Sequence, residues 1–317
     1  MGGIRNFNLI SQDAQTRLTE FREDFALAYA QETTPAEDWA RTLGLYLASK
    51  ALKTKFPIPV SAAGYKEFEG DMRYRSIFEK SFELVPKTWQ DGVAELASVV
   101  EAPDFIGWPG QPEAMAAAAR SLPNEIISAA LEANAVHPLD GLAFFHASHP
   151  VNLLDTSFGT FANTFSGAGT AASTTALETA KANMRKVKAA NGKPMGLRVT
   201  HILAHPDKEE TWRNILDRDL IIEAVGSSFA AVDNRHKGSV KLIISDQLTT
   251  SAQWYALGLS KPGMFPWVVQ DEGSPETIVQ GKDDALYKST LKIGFASILR
   301  GNGGLAVPHC IHRYVGS

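Results

Sequence analysis

One cysteine, Cys310, stands in 317 residues, so no internal disulfide can form and the chain fits a reducing compartment. Nowhere do eighteen apolar residues run together, which leaves no candidate for a helix across a membrane. The opening MGGIRNFNLI has neither the apolar stretch of a secretory signal nor Ser or Thr at position 6 for myristoylation. The expectation is a soluble intracellular product. An excess of one charge is missing too: 31 Lys plus Arg against 35 Asp plus Glu leave −4, spread as −2, −1 and −1 over residues 1–100, 101–200 and 201–317. No basic tail or patch shows in these sums, so strong phosphate-driven binding to nucleic acid is not expected.

Catalytic signatures are equally scarce. There is no C-x-x-C, H-E-x-x-H, P-loop or G-x-S-x-G. FFHASHPVN at 144–152 places His146 and His149 three apart, and HCIH at 309–312 adds His309, Cys310 and His312, all ligand types that zinc uses. With no Glu between the first pair and no paired cysteines, the structural reading is preferred: Phe144 and Phe145 end a core strand, and His149-Pro150 turns the chain. SGAGTAAS at 166–173 contains G-x-G-x-x-A, but a polar lead-in and an acid as near as Glu178 make it a loop rather than a dinucleotide site. Asp283-Asp284 reads as a solvated pair, and Arg300 as an anion contact or, more simply, a structural partner. No cofactor, no metal and no catalytic residue is expected.

What is present is size and pattern. The length exceeds the ~250 to 300 residues at which single cores tend to divide, so two lobes are expected. From a cap at Ser11, the residues Ala14, Leu18, Phe21, Phe25 and Tyr29 make one stripe of a helix over 12–31. Residues 54–100 alternate charged and apolar side chains around Gly70-Asp71, as an extended two-sided β arm would. An alanine-rich helix spans 112–134, kinked or divided at Pro123. Residues 156–177 carry no charge before Glu178 and read as a loop, mobile or packed on a neighbour. Thr175 and Glu178 are spaced as a capping box for the next helix, which stops at Asn191-Gly192. Then LRVTHILAH, a helix opened by Pro206, and VKLIISD alternate as an α/β unit. The end reads as a β-hairpin turning at Asn302-Gly303. An arm and a helix that cannot bury themselves mark a subunit that completes itself against its own copies.

Here a family resemblance enters. FFHASHPVN, KEFEGDM (66–72), FEKSFEL (78–84), RSLPNEIISAALEAN, THILAHPDKEET, LTTSAQWYAL and LRGNGGLAV resemble, in order, segments of the major head subunits of Mu-like phages. Met72, Pro86 and the tail HCIHRYVGS depart from that pattern. The resemblance implies an α+β chain with the Hong Kong 97-type capsid fold: an N-arm at 1–53, an extended E-loop at 54–100, and a P-domain at 101–194 whose spine helix spans 110–136. An A-domain at 195–270 follows, and residues 271–317 return to the P-domain as the closing hairpin. It implies a structural protein, not an enzyme, that forms hexamers and pentamers of an icosahedral head around double-stranded DNA held by weak non-specific contact. Partners would be further copies, a portal protein, a separate scaffold and protease, and a decoration protein; the location would be the virion, assembled in the host cytoplasm, with no membrane. Because the first helix begins near Ser11, a fused scaffolding domain is not expected. Interface candidates are Leu18, Phe21, Phe25, Lys66, Glu67, Arg73, Arg75 and Arg300. An encapsulin-like or gene-transfer shell, and more remotely an α/β enzyme, are the alternatives.

Overall fold

The computed structural model describes residues 13–59, 79–102, 104–105, 107–225 and 228–316. Helix α1, Ala14–Tyr29, buries Ala14, Leu18, Phe21 and Phe25, the stripe that the apolar spacing predicts. It starts after Asp13 rather than at Ser11, which lies outside the described residues. A short α2, Trp39–Leu43, leads into β1, Leu45–Ala48. The arm's root is β2, Thr54–Pro59, paired antiparallel with β3, Glu79–Leu84; the Gly70-Asp71 turn lies outside the described residues. Strand β4, Lys87–Leu96, runs into the single turn α3, Ala97–Val100.

Helix α4, Gln111–Ala133, is one element through Pro123, and its 23 residues span about 34 Å. Left-handed residues bound it, Gly110 at φ 74° and Asn134 at φ 47°. Pro123 costs one intrahelical donor. Next to it the buried Asn124 serves another element: its Oδ1 accepts from Ala40 N at 3.0 Å and its Nδ2 donates to Glu37 O at 2.6 Å, which anchors the start of α2.

The segment from residue 149 through the uncharged stretch 156–177 is stitched into the fold rather than loose. Strands β5, His149–Pro150, and β6, Thr160–Phe161, pair with each other, and β7, Thr164–Ser166, joins a sheet. Helix α5, Thr174–Lys186, is capped by Ser173, whose Oγ accepts from Ala176 N. Thr175 is therefore inside the helix, and Glu178 pairs with Arg235 at 2.7 Å instead of closing a capping box. Then come β8, His201–Ala204; α6, Glu209–Leu216, behind a 3₁₀ turn opened by Pro206; β9, Leu220–Val225; β10, Ser228–Asp233; β11, Lys241–Ile244; β12, Gln253–Leu257; β13, Trp267–Asp271; β14, Glu276–Gln280; and α7, Ala285–Thr290. Strand β15 covers Lys292–Leu305 and β16 covers Ile311–Val315.

Two five-stranded sheets carry the fold. In the first, β15 is the axis: it pairs with β4 over ten residues, with β14 beside its first half and β13 beside its second, and β1 lies outside β13. The second has the order β11-β8-β12-β16-β7, with α5 and α6 on one face around Leu177, Met184, Trp212 and Trp254. Between the sheets lies a shared core in which Ile127 and Leu131 of α4 meet Trp267 and Val269 of the first sheet and Leu203, Tyr255, Leu257 and Ile311 of the second. The two lobes are thus joined by one apolar seam.

The closing hairpin is corrected by these strands. Asn302-Gly303 is no turn: β15 runs straight through it, and the last strand, β16, lies between β12 and β7 of the second sheet rather than returning to the first. The glycines serve another purpose. A Cβ on Gly303 would stand 2.7 Å from Ile127 Cδ1 and 3.2 Å from Ile126 Cγ2, and one on Gly301 would stand 2.9 Å from Asp271 Cβ. RGNGG is the place where a strand passes directly beneath α4, and a side chain there would lift the helix off the sheet. Gly303→Val should lower stability by about 1–3 kcal/mol through overpacking, whereas Gly169→Val, with no heavy atom within 4 Å of its Cβ position, should stay within about 0.5 kcal/mol. Parallel urea titrations of the two variants check this.

Candidate assembly surface

The sequence-derived interface residues fall in three different settings. Lys66, Glu67, Arg73 and Arg75 lie outside the described residues. Leu18, Phe21 and Phe25 are turned inward: Phe21 lies 4.7 Å from the ring of Phe295 and 5.5 Å from that of Trp108, and Phe25 lies 5.4 Å from Phe295. They are the core of this subunit, and the large apolar residue that α1 leaves to solvent is Leu27, 69% exposed. Sequence spacing finds the stripe but cannot say whether its partner is the same chain or another. Arg300 is half-exposed, with Nη1 3.9 Å from Glu272 Oε1, so it is a loosely held structural partner.

The root of the arm is built firmly. Phe56 and Phe82 stack across β2 and β3 at 5.3 Å and pack with Leu84 against Leu139, Ala306 and Val307. Lys80 Nζ donates to Leu139 O at 2.6 Å, and Asn302 Nδ2 to Val85 O at 2.8 Å. Glu83 faces Lys53 at 2.5 Å and Lys55 at 3.4 Å, exposed pairs that water and salt screen. The apolar stack, not the charges, fixes where the arm leaves the body.

A second anchor holds the N-terminal segment to the first sheet. Arg41 donates from Nε and Nη2 to Asp271 Oδ2 at 3.0 and 2.7 Å and from Nη1 to Asp38 at 3.1 Å, while Tyr46 Oη and Gly273 N both donate to Asp271 Oδ1 at 2.8 Å. Burial works against the Arg41 charge, but the Asp271 and Asp38 carboxylates outweigh it and raise its pKa; burial and then Asp271 raise that of the Tyr46 hydroxyl. No sequence signal links residues 230 positions apart in this way.

The histidines of the two motifs do come together, as packing. His149 Nδ1 lies 2.5 Å from Asp140 Oδ2 and its Nε2 lies 3.0 Å from Phe144 O, and its ring stacks on Phe161, which stacks in turn on His309 at 4.3 Å. Burial alone would raise the pKa of Asp140; the hydrogen bonds from His149 and from Leu142 N outweigh it and hold the carboxyl below its ordinary range. The hub of the region is Asn163, fully buried. Its side-chain Oδ1 accepts from His146 N, its Nδ2 donates to Phe144 O and Pro308 O, and its backbone carbonyl receives Arg313 N, so one residue ties FFHASHP to the C-terminal strand. His312 is enclosed on β16 with neither ring nitrogen hydrogen-bonded. Among the described residues no group of three or more His, Cys, Asp or Glu is placed to hold a metal ion.

What this surface is for is decided by comparison. The sequence profile of the family described as "Phage capsid protein" matches residues 108–306, well over half of the chain. The chain belongs to the phage capsid proteins. A second profile, "Mu-like prophage major head subunit gpT", matches residues 18–172. Among solved structures, the procapsid of bacteriophage JBD30 superposes with a TM-score of 0.53 at 14% identity, covering 96% of this chain and 75% of that one. The capsid of a native GTA particle gives 0.53 at 9%, covering 90% and 92%, and a chain of Mycobacterium phage Patience gives 0.50 at 10%, covering 100% and 95%. No curated protein matches in sequence. This capsid subunit has the Hong Kong 97-type fold and a structural, non-enzymatic role in a multi-subunit shell of the virion. No helix among its described residues is long and apolar enough to cross a membrane.

Two predictions test the anchors. Asp271→Asn should destabilise the subunit by about 1.5–3 kcal/mol, because Arg41 loses one of its two carboxylates and keeps only Asp38; thermal melting at neutral pH reads the loss. His312 is lowered to about 3, first by burial and then by His309, against about 6.5 when free. Between those values the unfolded chain takes up a proton that the folded chain refuses, so stability falls as pH falls below about 6.5. His312→Phe should hold or raise stability at pH 7 and reduce the acid slope by about 1.4 kcal/mol per pH unit; an unchanged slope would contradict it.

Proposed function

We propose that this capsid subunit is the major building block of an icosahedral head, grouped into hexamers and pentamers around double-stranded DNA and assembled in the host cytoplasm. The family match over residues 108–306 is the observation that carries the reading. The described architecture supports a division of labour: an N-arm through residue 53, an E-loop rooted on β2 and β3, a P-domain formed by α4 and the first sheet, and an A-domain formed by the second sheet. Because β7 and β16 lie in the second sheet and α5 packs on it, the proposed A-domain would cover about 164–257 together with 311–315 in place of 195–270.

Lys66, Glu67, Arg73 and Arg75 are the residues through which the E-loop would meet a neighbouring subunit, with Arg300 at the base of the arm. A scaffold, a protease, a portal protein and a decoration protein complete the proposed partners. With Leu18, Phe21 and Phe25 committed to the core, the exposed Leu27 is the residue by which α1 would meet a scaffold.

Sedimentation and negative-stain microscopy of purified protein test the reading. Closed shells or tubes are expected, with trypsin cleavage at Lys66, Arg73 and Arg75 slower in the assembled fraction than in free subunits. A 34.4 kDa monomer under every salt and pH condition would be evidence against it.

A further inference from the structure

The even spread of net charge over thirds of the chain conceals a segregation. Of the seven cations in residues 101–200, six lie between 181 and 198, and from 179 to 206 there is no acid at all. The structure places this run on the end of α5 and on the turn that follows it. Lys181, Arg185 and Lys186 occupy the second half of α5. A tight turn follows, closed by Ala189 N to Lys193 O at 2.9 Å, Gly192 N to Ala189 O at 2.8 Å and Met195 N to Val187 O at 2.9 Å, which sets Lys188 opposite Pro194 and holds Lys193 on the same turn. Arg198 N donates to Ser260 Oγ at 3.1 Å, bringing in Lys261 from a second acid-free run, 247–270.

Arg185, Lys186, Lys188, Lys193, Arg198 and Lys261 are all exposed. Among the described residues none of the six has a carboxylate within ion-pair distance, whereas Arg41, Arg213, Arg235, Lys237 and Lys282 elsewhere are paired. Asp155, on the loop that Asn152 Nδ2 ties to Ala190 O, is engaged by Ser157 N. The C-terminus of α5 accounts for Arg185 and Lys186, since cations there offset the helix dipole. It does not account for Lys188, Lys193, Arg198 or Lys261.

We infer that this face is where the subunit touches packaged duplex DNA. Unpaired lysines and arginines on a hydrogen-bonded turn are suited to a chain of phosphates: they neutralise charge and release counterions without reading bases. Contact of this kind depends on salt and not on sequence, as a container requires of a cargo of any sequence. The inference rests on the reading of the shell as a DNA container, and it locates the contact on one side of the second sheet's helical layer.

The probe is a random-sequence duplex of about 30 base pairs, titrated against unassembled subunits from low to physiological salt. Lys188→Gln, Lys193→Gln and Arg198→Gln together should weaken binding about tenfold or more at low salt and reduce the slope of log K against log salt by about 3. The pair Lys188→Gln and Lys193→Gln should give about two-thirds of that change. Lys288→Gln with Lys292→Gln, at the far end of the first sheet, should change nothing. In particles, Lys188 and Lys193 should acetylate more slowly when DNA fills the shell than when it is empty. Unchanged DNA binding, equal acetylation in full and empty particles, or variants that bind DNA normally but no longer assemble would each overturn the assignment, the last by making the face a contact between subunits. If the unaltered chain never forms shells, the container reading fails by that observation alone, while the duplex titration still reports on the face.

Discussion

Everything in this subunit is arranged around the passage of β15 beneath α4. The helix can lie against the strand because Gly303 offers no Cβ toward Ile126 and Ile127, and that close approach puts Ile127 and Leu131 into the seam shared by both sheets. Lifting the helix would open this seam, withdraw Asn124 from Glu37 and Ala40, and unseat the segment that carries Arg41 toward Asp271. One steric allowance therefore supports an apolar core, a buried polar clamp and an ion pair. Because the strand is shared by β4, β13 and β14, the allowance is transmitted across the whole first sheet.

The rest of the fold shows how a shell subunit separates rigid from adaptable surface. The arm is rooted by the stacked Phe56 and Phe82 on the body, while charge at its base is left in water where it contributes little. The histidine-rich segments, which look chemical in the sequence, act as packing: His149 satisfies both ring nitrogens on Asp140 and Phe144, and Asn163 holds two distant stretches of chain together. The cations of 185–198, by contrast, have no carboxylate within ion-pair distance among the described residues. Some enclosed polar groups still lack a hydrogen-bond partner, among them Ser128 Oγ, Trp39 Nε1, Trp212 Nε1 and both ring nitrogens of His312.

How far this could be read from the sequence follows from the range of each interaction. Helices α1, α4 and α5, the root of the arm and the alternation β8, α6, β11 were legible because their signals repeat within a few residues. The turn expected at Asn302-Gly303 was not there, since the same dipeptide serves a hairpin or a crowded strand, and only the helix above it decides which. The cap of α5 fell on Ser173 because Glu178 found Arg235 instead. Strand β16 had no local sign of its place, which depends on pairing with residues about sixty and a hundred and fifty positions earlier. Of the assembly surface, the apolar stripe of α1 was visible but its destination was not, and a tally of charge over long windows averaged away the basic face.

The position of β16 also fixes an order of events. It lies inside the second sheet, between β12 and β7, so that sheet stays split until residues 311–315 have left the ribosome. Its neighbours are made long before and must wait with open edges, the kind of surface that invites wrong pairing. While they wait, the seam lacks Ile311 and Asn163 lacks Arg313. A chain cut before residue 311 would therefore lose the strand that joins β12 to β7, the Ile311 part of the seam and the Arg313 bond to Asn163 together, so the last strand couples the closing of the sheet to the closing of the core.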